Sequence, residues 1–262
     1  MTSIEGSNIK SLVLDMDGVL WRETDPIGDL SRIFARLKER YSFVLATNNG
    51  TKTIQQFLDK LASFKVELEP WQIITSAQAV AEYLLQKYPQ GGPVYVFGES
   101  GLVEAMESKG FYHAEGSVLA VVAGMNRDLT FEKLRRATLL IRKGVPFIGT
   151  NPDLTYPTPE GLIPGAGSLL TCLELASGVK PVIIGKPEPY MYTVAKKRLG
   201  TADDETLAVG DRLTTDILGA QRAGCKCALV LSGVTTLEEA LAWRPLPDYI
   251  AANLAELIGL GK

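Results

Sequence analysis

Apolar and polar positions alternate along this chain in two rhythms. Short unbroken apolar runs, "SLVLD" at 11–15, "YSFVLATN" at 41–48, "PVIIGKP" at 181–187, "TLAVGD" at 206–211 and "CALVLSG" at 227–233, read as buried strands. Between them lie segments with helical spacing. In "IGDLSRIFARLKER", Ile27, Leu30, Ile33, Phe34 and Leu37 would share one face; "TKTIQQFLDKLASF" at 51–64 and the stretches that follow later apolar runs, near 190–199, 213–223 and 236–242, read as helices too. Strand and helix in alternation predict α/β architecture with a parallel sheet. Each strand closes in a polar or glycine-containing loop, where open α/β sheets place their ligands.

A second run of the same kind spans roughly 77–181 and includes "VYVFG", "SVLAVVAG", "TFEKLRRATLLIRKG" and "VPFIGTNPDL". About a hundred residues suffice for a domain. The chemically suggestive loops fall before residue 50 and after residue 184, which fits an insertion in a core of 1–76 and 182–262. One continuous large sheet is the alternative.

Composition excludes more than it assigns. The 262 residues are 46% hydrophobic and 22% charged, with a formal charge of −3 and no basic cluster, so nucleic acid is not an expected partner. No apolar stretch approaches the ~20 residues that span a bilayer, and "MTSIEGSNIK" lacks an apolar leader; the expectation is a cytoplasmic protein with no membrane partner. Three cysteines, Cys172, Cys225 and Cys227, offer no disulfide framework. "CKC" at 225–227 has neither another Cys nor the single His, His113, near it in sequence, and reads as buried thiols at a strand start.

Four loops carry candidate chemistry. Asp15 and Asp17 end the first strand, and if the chain stays extended through Met16 both face one side. Two carboxylates about 4 Å apart repel by about 4 kcal/mol at an effective dielectric near 20, so a proton or a cation must offset them. Turn or helix capping is the alternative role for each. In "ATNNGTKT", Thr47 offers a hydroxyl and Asn48 an amide before Gly50, a set suited to an anion or to an N-cap. Lys186 is pinned between Gly185 and Pro187 at a strand end. Asp211 directly follows a buried strand, as a hard-metal oxygen ligand would, and Asp216 is placed to orient Lys186 or a metal-bound water, or else to serve as a helix N-terminal carboxylate.

In this order, at strand ends, the four loops resemble the motifs of the haloacid dehalogenase-like superfamily, whose phosphatases open with DxDG(T/V), here "DMDGV". "TNPDLTYP" at 150–157, "GLIPGAGSLL" at 161–170 and "LSGVTT" at 231–236 are similar to the nitrophenyl-phosphatase and NagD-like branch, although "TDPIGD" departs from that branch's fuller proline-glycine turn. The resemblance implies a Rossmann-like, doubly wound parallel-sheet core with a smaller α/β cap inserted at 77–181. It implies Asp15 as nucleophile and Asp17 as acid/base, with Thr47, Asn48 and Lys186 on the substrate phosphate. Mg²⁺ would be held by Asp15, the Asp17 carbonyl and Asp211, with Asp216 behind them. The implied activity is hydrolysis of a small phosphomonoester through an aspartyl-phosphate, the cap choosing among sugar phosphates, nucleotides, phosphoglycolate and pyridoxal phosphate. Relatives pair through cap surfaces, which makes a homo-oligomer compatible, though no interface is legible here. The rival readings are a hydrolytic dehalogenase, which needs neither Asp17 nor a metal, a mutase, and a non-catalytic binding module.

Overall fold

The computed structural model describes residues 3–158 and 160–260; the outermost residues of the expected core and residue 159 of the expected insertion lie outside it. The chain forms two compact units, one of Met1–Thr47, Phe57–Ile74 and Lys186–Lys262, the other of Asn48–Gln56 and Thr75–Gly185.

The first unit is built on a six-stranded sheet in the order Tyr249–Ala251, Lys226–Val230, Thr206–Gly210, Ser11–Leu14, Ser42–Thr47, Ile73–Thr75. Ser11–Leu14 pairs in parallel with Thr206–Gly210 on one side and with Ser42–Thr47 on the other, Leu14 standing opposite Val209 and Leu45. Its four residues are all buried, as a strand covered on both faces requires. The chain starts in the centre, builds outward to one edge, then returns to the other side of the first strand. The order therefore reverses between Ser11–Leu14 and Thr206–Gly210. In a doubly wound sheet that reversal opens a crevice at the carboxyl ends of the two strands. Asp15 and Asp211 are the residues that follow them.

Helices form largely where the spacing predicts them. Tyr190–Leu199 matches its predicted span, and Leu30–Arg40 buries Leu30, Ile33, Phe34 and Leu37. Ile27 lies outside that helix, contrary to its spacing: Asp29 is the N-cap, its carboxylate accepting from Arg32 N at 3.1 Å, while Ile27 N donates to Leu20 O. Cys225 and Cys227 are buried at the start of Lys226–Val230, and Cys172 is exposed.

The second unit has its own five-stranded sheet in the order Val182–Ile183, Phe147–Gly149, Val121–Ala123, Gly92–Phe97, Phe111–His113, with every pair parallel. Its core gathers Phe97, Val121, Ala137, Ile141, Phe147 and Leu173. A separate antiparallel hairpin pairs Thr155–Thr158 with Gly161–Pro164, where the sequence pattern predicts no element. Residues 48–56, contiguous with the predicted core, group with this unit. Gly101 N donates to Thr51 O at 2.9 Å, and Ser76 Oγ donates to Asn48 O at 2.7 Å. His113 is exposed, its Nδ1 accepting from Val96 N. No helix among the described residues is long and apolar enough to cross a membrane.

Candidate active site

The site in the first unit starts at the end of its central strand. Asp15 N donates to Val209 O at 2.8 Å, continuing the ladder by one rung. The chain then turns instead of staying extended. Met16 O accepts from Leu20 N at 2.8 Å and Gly18 takes a φ of +81°, a left-handed conformation that glycine adopts without strain. A Cβ on Gly18 would also stand 2.4 Å from Asp211 Oδ2. This turn separates Asp17 from Asp15: its exposed carboxylate accepts from Trp21 Nε1 at 2.8 Å and does not join the acidic group described next.

Asp15, Asp211 and Asp216 each bring one carboxylate oxygen within 4.8 Å of the others. Lys186 stands among them, only 3% exposed. Its Nζ donates to Asp15 Oδ1 and Asp216 Oδ1, both at 2.6 Å, and to Ala46 O at 3.0 Å. Asp216 lies in the helical turn Leu213–Ile217, and its second oxygen accepts from Arg212 N at 3.1 Å and Thr215 Oγ1 at 3.4 Å. Tyr192 hydroxyl donates to the Asp216 carbonyl at 2.9 Å and fixes the turn from the neighbouring helix.

One ammonium for three carboxylates leaves the group net negative, and the ionisation of its members reflects this. Burial holds the Asp15 carboxyl well above the usual carboxylate range; Lys186 works against that, and Asp216, Asp211 and Asp17 reinforce it. Burial, then repulsion from Asp216, pushes Asp211 up to about 6, although the Val234 N–H opposes this. For Lys186 burial disfavours the charge, but Asp15 and Asp216 outweigh it and the ammonium stays protonated far above neutrality.

Asp211 is the least satisfied member. Its Oδ2 accepts from Val234 N at 2.9 Å, while Oδ1 is buried without a hydrogen-bond partner. An orphaned buried carboxylate oxygen costs roughly 1–3 kcal/mol or more. Three clustered hard oxygen donors, one of them unmet, fit a small divalent cation such as Mg²⁺.

Thr47 is buried at the end of Ser42–Thr47, at the same carboxyl edge as Asp15. Asn48 belongs to the second unit, where its Nδ2 donates to Asp153 Oδ2 at 3.0 Å and its carbonyl accepts from Asn151 Nδ2 at 2.9 Å. Also in that unit, Gly165 N and Gly167 N, at the start of the helix Ala166–Ser177, donate to Leu154 O and Asp153 O.

Sequence reasoning passes over three features. Trp21, four residues after Asp17, is 1% exposed and gives its N–H to Asp17. Ser232 Oγ donates to Gly18 O at 2.7 Å, and Arg22 Nε donates to Ser232 O at 2.6 Å, which ties the loop after Lys226–Val230, whose Val234 N–H binds Asp211, to the turn after Asp15. Gly233 allows the same approach, since a Cβ there would meet Asp211 Oδ2 at 1.9 Å. A glycine in the short loop after the buried strand Lys226–Val230 was the available signal for the last.

Residues 12–112 match the family model of haloacid dehalogenase-like hydrolases, and residues 183–257 match the HAD-hydrolase-like model. The chain belongs to the haloacid dehalogenase-like hydrolase family. It is similar to the 5'-nucleotidase YutF of Bacillus subtilis, with 37% identity over 95% of this chain and 97% of that protein. It is similar to the acid sugar phosphatase of Staphylococcus aureus, with 36% identity over 95% of this chain and 96% of the relative. Among solved structures, NagD from E. coli K-12 superposes with a TM-score of 0.88 at 31% identity, over 95% of this chain and 98% of that one. Within the family this haloacid dehalogenase-like chain falls among the NagD-like phosphatases, with the Rossmann-like core and α/β cap of that branch.

Proposed function

We propose that this haloacid dehalogenase-like hydrolase is a Mg²⁺-dependent phosphatase of small phosphomonoesters, with Asp15 as nucleophile and Asp17 as general acid and base. The observation that carries this reading is the group of Asp15, Asp211 and Asp216 around Lys186, with Asp211 Oδ1 left unpaired. Asp15 and Asp211 are the side chains that would hold the ion, with the Asp17 carbonyl, while Asp216 fixes Lys186. When bound, Mg²⁺ supplies positive charge that a phosphate dianion needs beside carboxylates.

In the first half-reaction an Asp15 carboxylate oxygen forms a bond to phosphorus, the bond from phosphorus to the ester oxygen breaks, and Asp17 gives its proton to that oxygen. The products are an alcohol and an aspartyl-phosphate. In the second, water attacks the aspartyl-phosphate, Asp17 takes the water's proton, and Asp15 is released with inorganic phosphate. Lys186 and the Thr47 hydroxyl, both at strand ends in this unit, are the groups assigned to the phosphoryl oxygens.

The core residues recognise only a phosphoryl group, so the choice of leaving group is assigned to the inserted segment, taken as 77–181. Relatives named 5'-nucleotidase and acid sugar phosphatase support nucleotides and sugar phosphates as the classes to test first. The absence of disulfides among the described cysteines supports a cytoplasmic setting.

The test is phosphate release from a panel of phosphomonoesters with Mg²⁺ and with chelator, for the native protein and Asp15→Asn. Release that needs Mg²⁺ and vanishes in Asp15→Asn is the expected result. Release that survives in Asp15→Asn contradicts the mechanism, and metal-independent dehalogenation or no turnover would restore one of the rival readings.

A further inference from the structure

We infer that Trp21 is a positioning residue for Asp17, and that Lys60 sharpens it by sitting on the indole face. The inference rests on the acid role proposed above for Asp17.

Three observations within the first unit support it. Trp21 Nε1 donates to Asp17 Oδ1 at 2.8 Å from a ring that is 1% exposed. The backbone closes the same loop, with Gly18 N donating to Trp21 O at 2.8 Å, so indole and carboxylate are held from both ends. Lys60 Nζ lies 3.9 Å from the centre of the Trp21 ring and is itself anchored on Glu23 O at 2.7 Å, while Phe64 stacks nearby with centroids 6.0 Å apart.

A buried indole N–H needs an acceptor, and a buried carbonyl would serve that need as well as a carboxylate. Here the acceptor is an exposed aspartate, which water alone would satisfy. The bond therefore does little for the carboxylate's solvation and much for its direction. It removes rotation about the Asp17 side chain before substrate arrives, the kind of ordering that a reacting group otherwise loses entropy to achieve. A donor on Oδ1 also makes Oδ2 the oxygen that carries the transferable proton. An ammonium over the ring withdraws electron density from the indole and makes its N–H a stronger donor.

Proton donation matters in proportion to how poor the leaving group is. An acidic nitrophenol departs as its anion, whereas phenol needs the proton as the bond to phosphorus breaks. The experiment compares kcat/KM for 4-nitrophenyl phosphate and phenyl phosphate, in saturating Mg²⁺, for the native protein, Trp21→Phe, Lys60→Met and Asp17→Asn. Trp21→Phe keeps an aromatic ring at this position and removes the N–H, together with part of the indole's buried volume. It should lower kcat/KM for phenyl phosphate about tenfold or more, with 4-nitrophenyl phosphate falling less than about threefold. Lys60→Met should show the same selectivity at about two- to threefold.

A merely structural role for Trp21 would slow both substrates alike, and an equal loss, or none, in Trp21→Phe overturns the inference. If Trp21→Phe does not fold, Lys60→Met decides, a flat ratio counting against. Asp17→Asn separates the two levels. A selective Asp17→Asn beside a flat Trp21→Phe sinks the inference alone, whereas an unselective Asp17→Asn sinks the acid role and the inference with it.

Discussion

Lys186 Nζ and Asp216 Oδ1 form an ion pair at 2.6 Å, with side chains only 4% and 5% exposed. A pair this deep is costly to break from one side, since removing one partner strands the other's charge, at about 3–5 kcal/mol. Lys186 keeps Asp15 as a second partner, which lowers that figure in Asp216→Ala, but the Arg212 N–H and Thr215 hydroxyl also lose their acceptor. A loss of about 3 kcal/mol is expected for Asp216→Ala in urea unfolding. Asp216→Asn retains an acceptor oxygen and should lose roughly half as much. Equal losses would show that the charge of Asp216 matters no more than its shape.

The two glycines against Asp211 give a second prediction. In Gly18→Ala the new methyl would stand 2.4 Å from Asp211 Oδ2, on a backbone at φ +81°, and in Gly233→Ala 1.9 Å from the same atom. Either substitution must move that carboxylate. Displacing a metal ligand's support typically costs 10- to 100-fold in affinity, so the Mg²⁺ concentration for half-maximal activity should rise by about that factor in both. Gly116 has nothing within 4 Å of a built Cβ, and Gly116→Ala should leave the Mg²⁺ titration unchanged. A rise in the control, or none in the pair, would detach Asp211 from the ion.

Removing the metal exposes a pH dependence whose sign follows from Asp211. Burial, then Asp216, raises its carboxyl from 3.8 to about 6 in the folded chain. The folded state thus binds this proton more tightly than the unfolded state, and the contribution to stability is lost as pH rises from about 4 through 6. In chelator, the thermal midpoint of the native protein should fall relative to that of Asp211→Asn over this interval. Mg²⁺ at 100 times its Kd should restore about 2.7 kcal/mol near pH 7.5 and much less near pH 5, where the ligands hold protons. Parallel pH curves for native and variant protein would refute the assignment.

How much of this was readable from sequence depends on whether the information is local. Asp15 and Asp211 were legible because each follows a buried apolar run directly, and the strand order then places both ends side by side. The helix Tyr190–Leu199 was legible from its place after one apolar run and before the next. The shared orientation of Asp15 and Asp17 was not, because period-two alternation assumes an extended Met16 and the left-handed Gly18 turns the chain there. The hairpin Thr155–Thr158 with Gly161–Pro164 hid behind prolines at 157 and 164, which argue against a strand interior. The allegiance of residues 48–56 rests on contacts with Ser76 and Gly101, which no local pattern carries. The Trp21–Asp17 bond was not legible, because nothing in a sequence tells where a buried N–H points.

The "CKC" pair supplies the last prediction, since a metal-binding or reactive role for those thiols would behave differently from a buried one. Thiolate is the species that attacks alkylating and disulfide reagents. Burial pushes the Cys225 thiol up to about 11 and the Cys227 thiol up to about 12. At pH 8 the thiolate fraction of Cys225 is then about one in a thousand, and that of Cys227 smaller still. Cys172 is exposed on the helix Ala166–Ser177 and meets the reagent directly. A folded sample at pH 8 should therefore release one equivalent of chromophore from a disulfide reagent in a fast phase, with the other two appearing only on unfolding. Chelator should not change the count in the fast phase, because the site assigned to the metal is made of carboxylates. A second equivalent released by chelation would mean that a cysteine is shielded by an ion, and would reopen the thiol pair as a metal site.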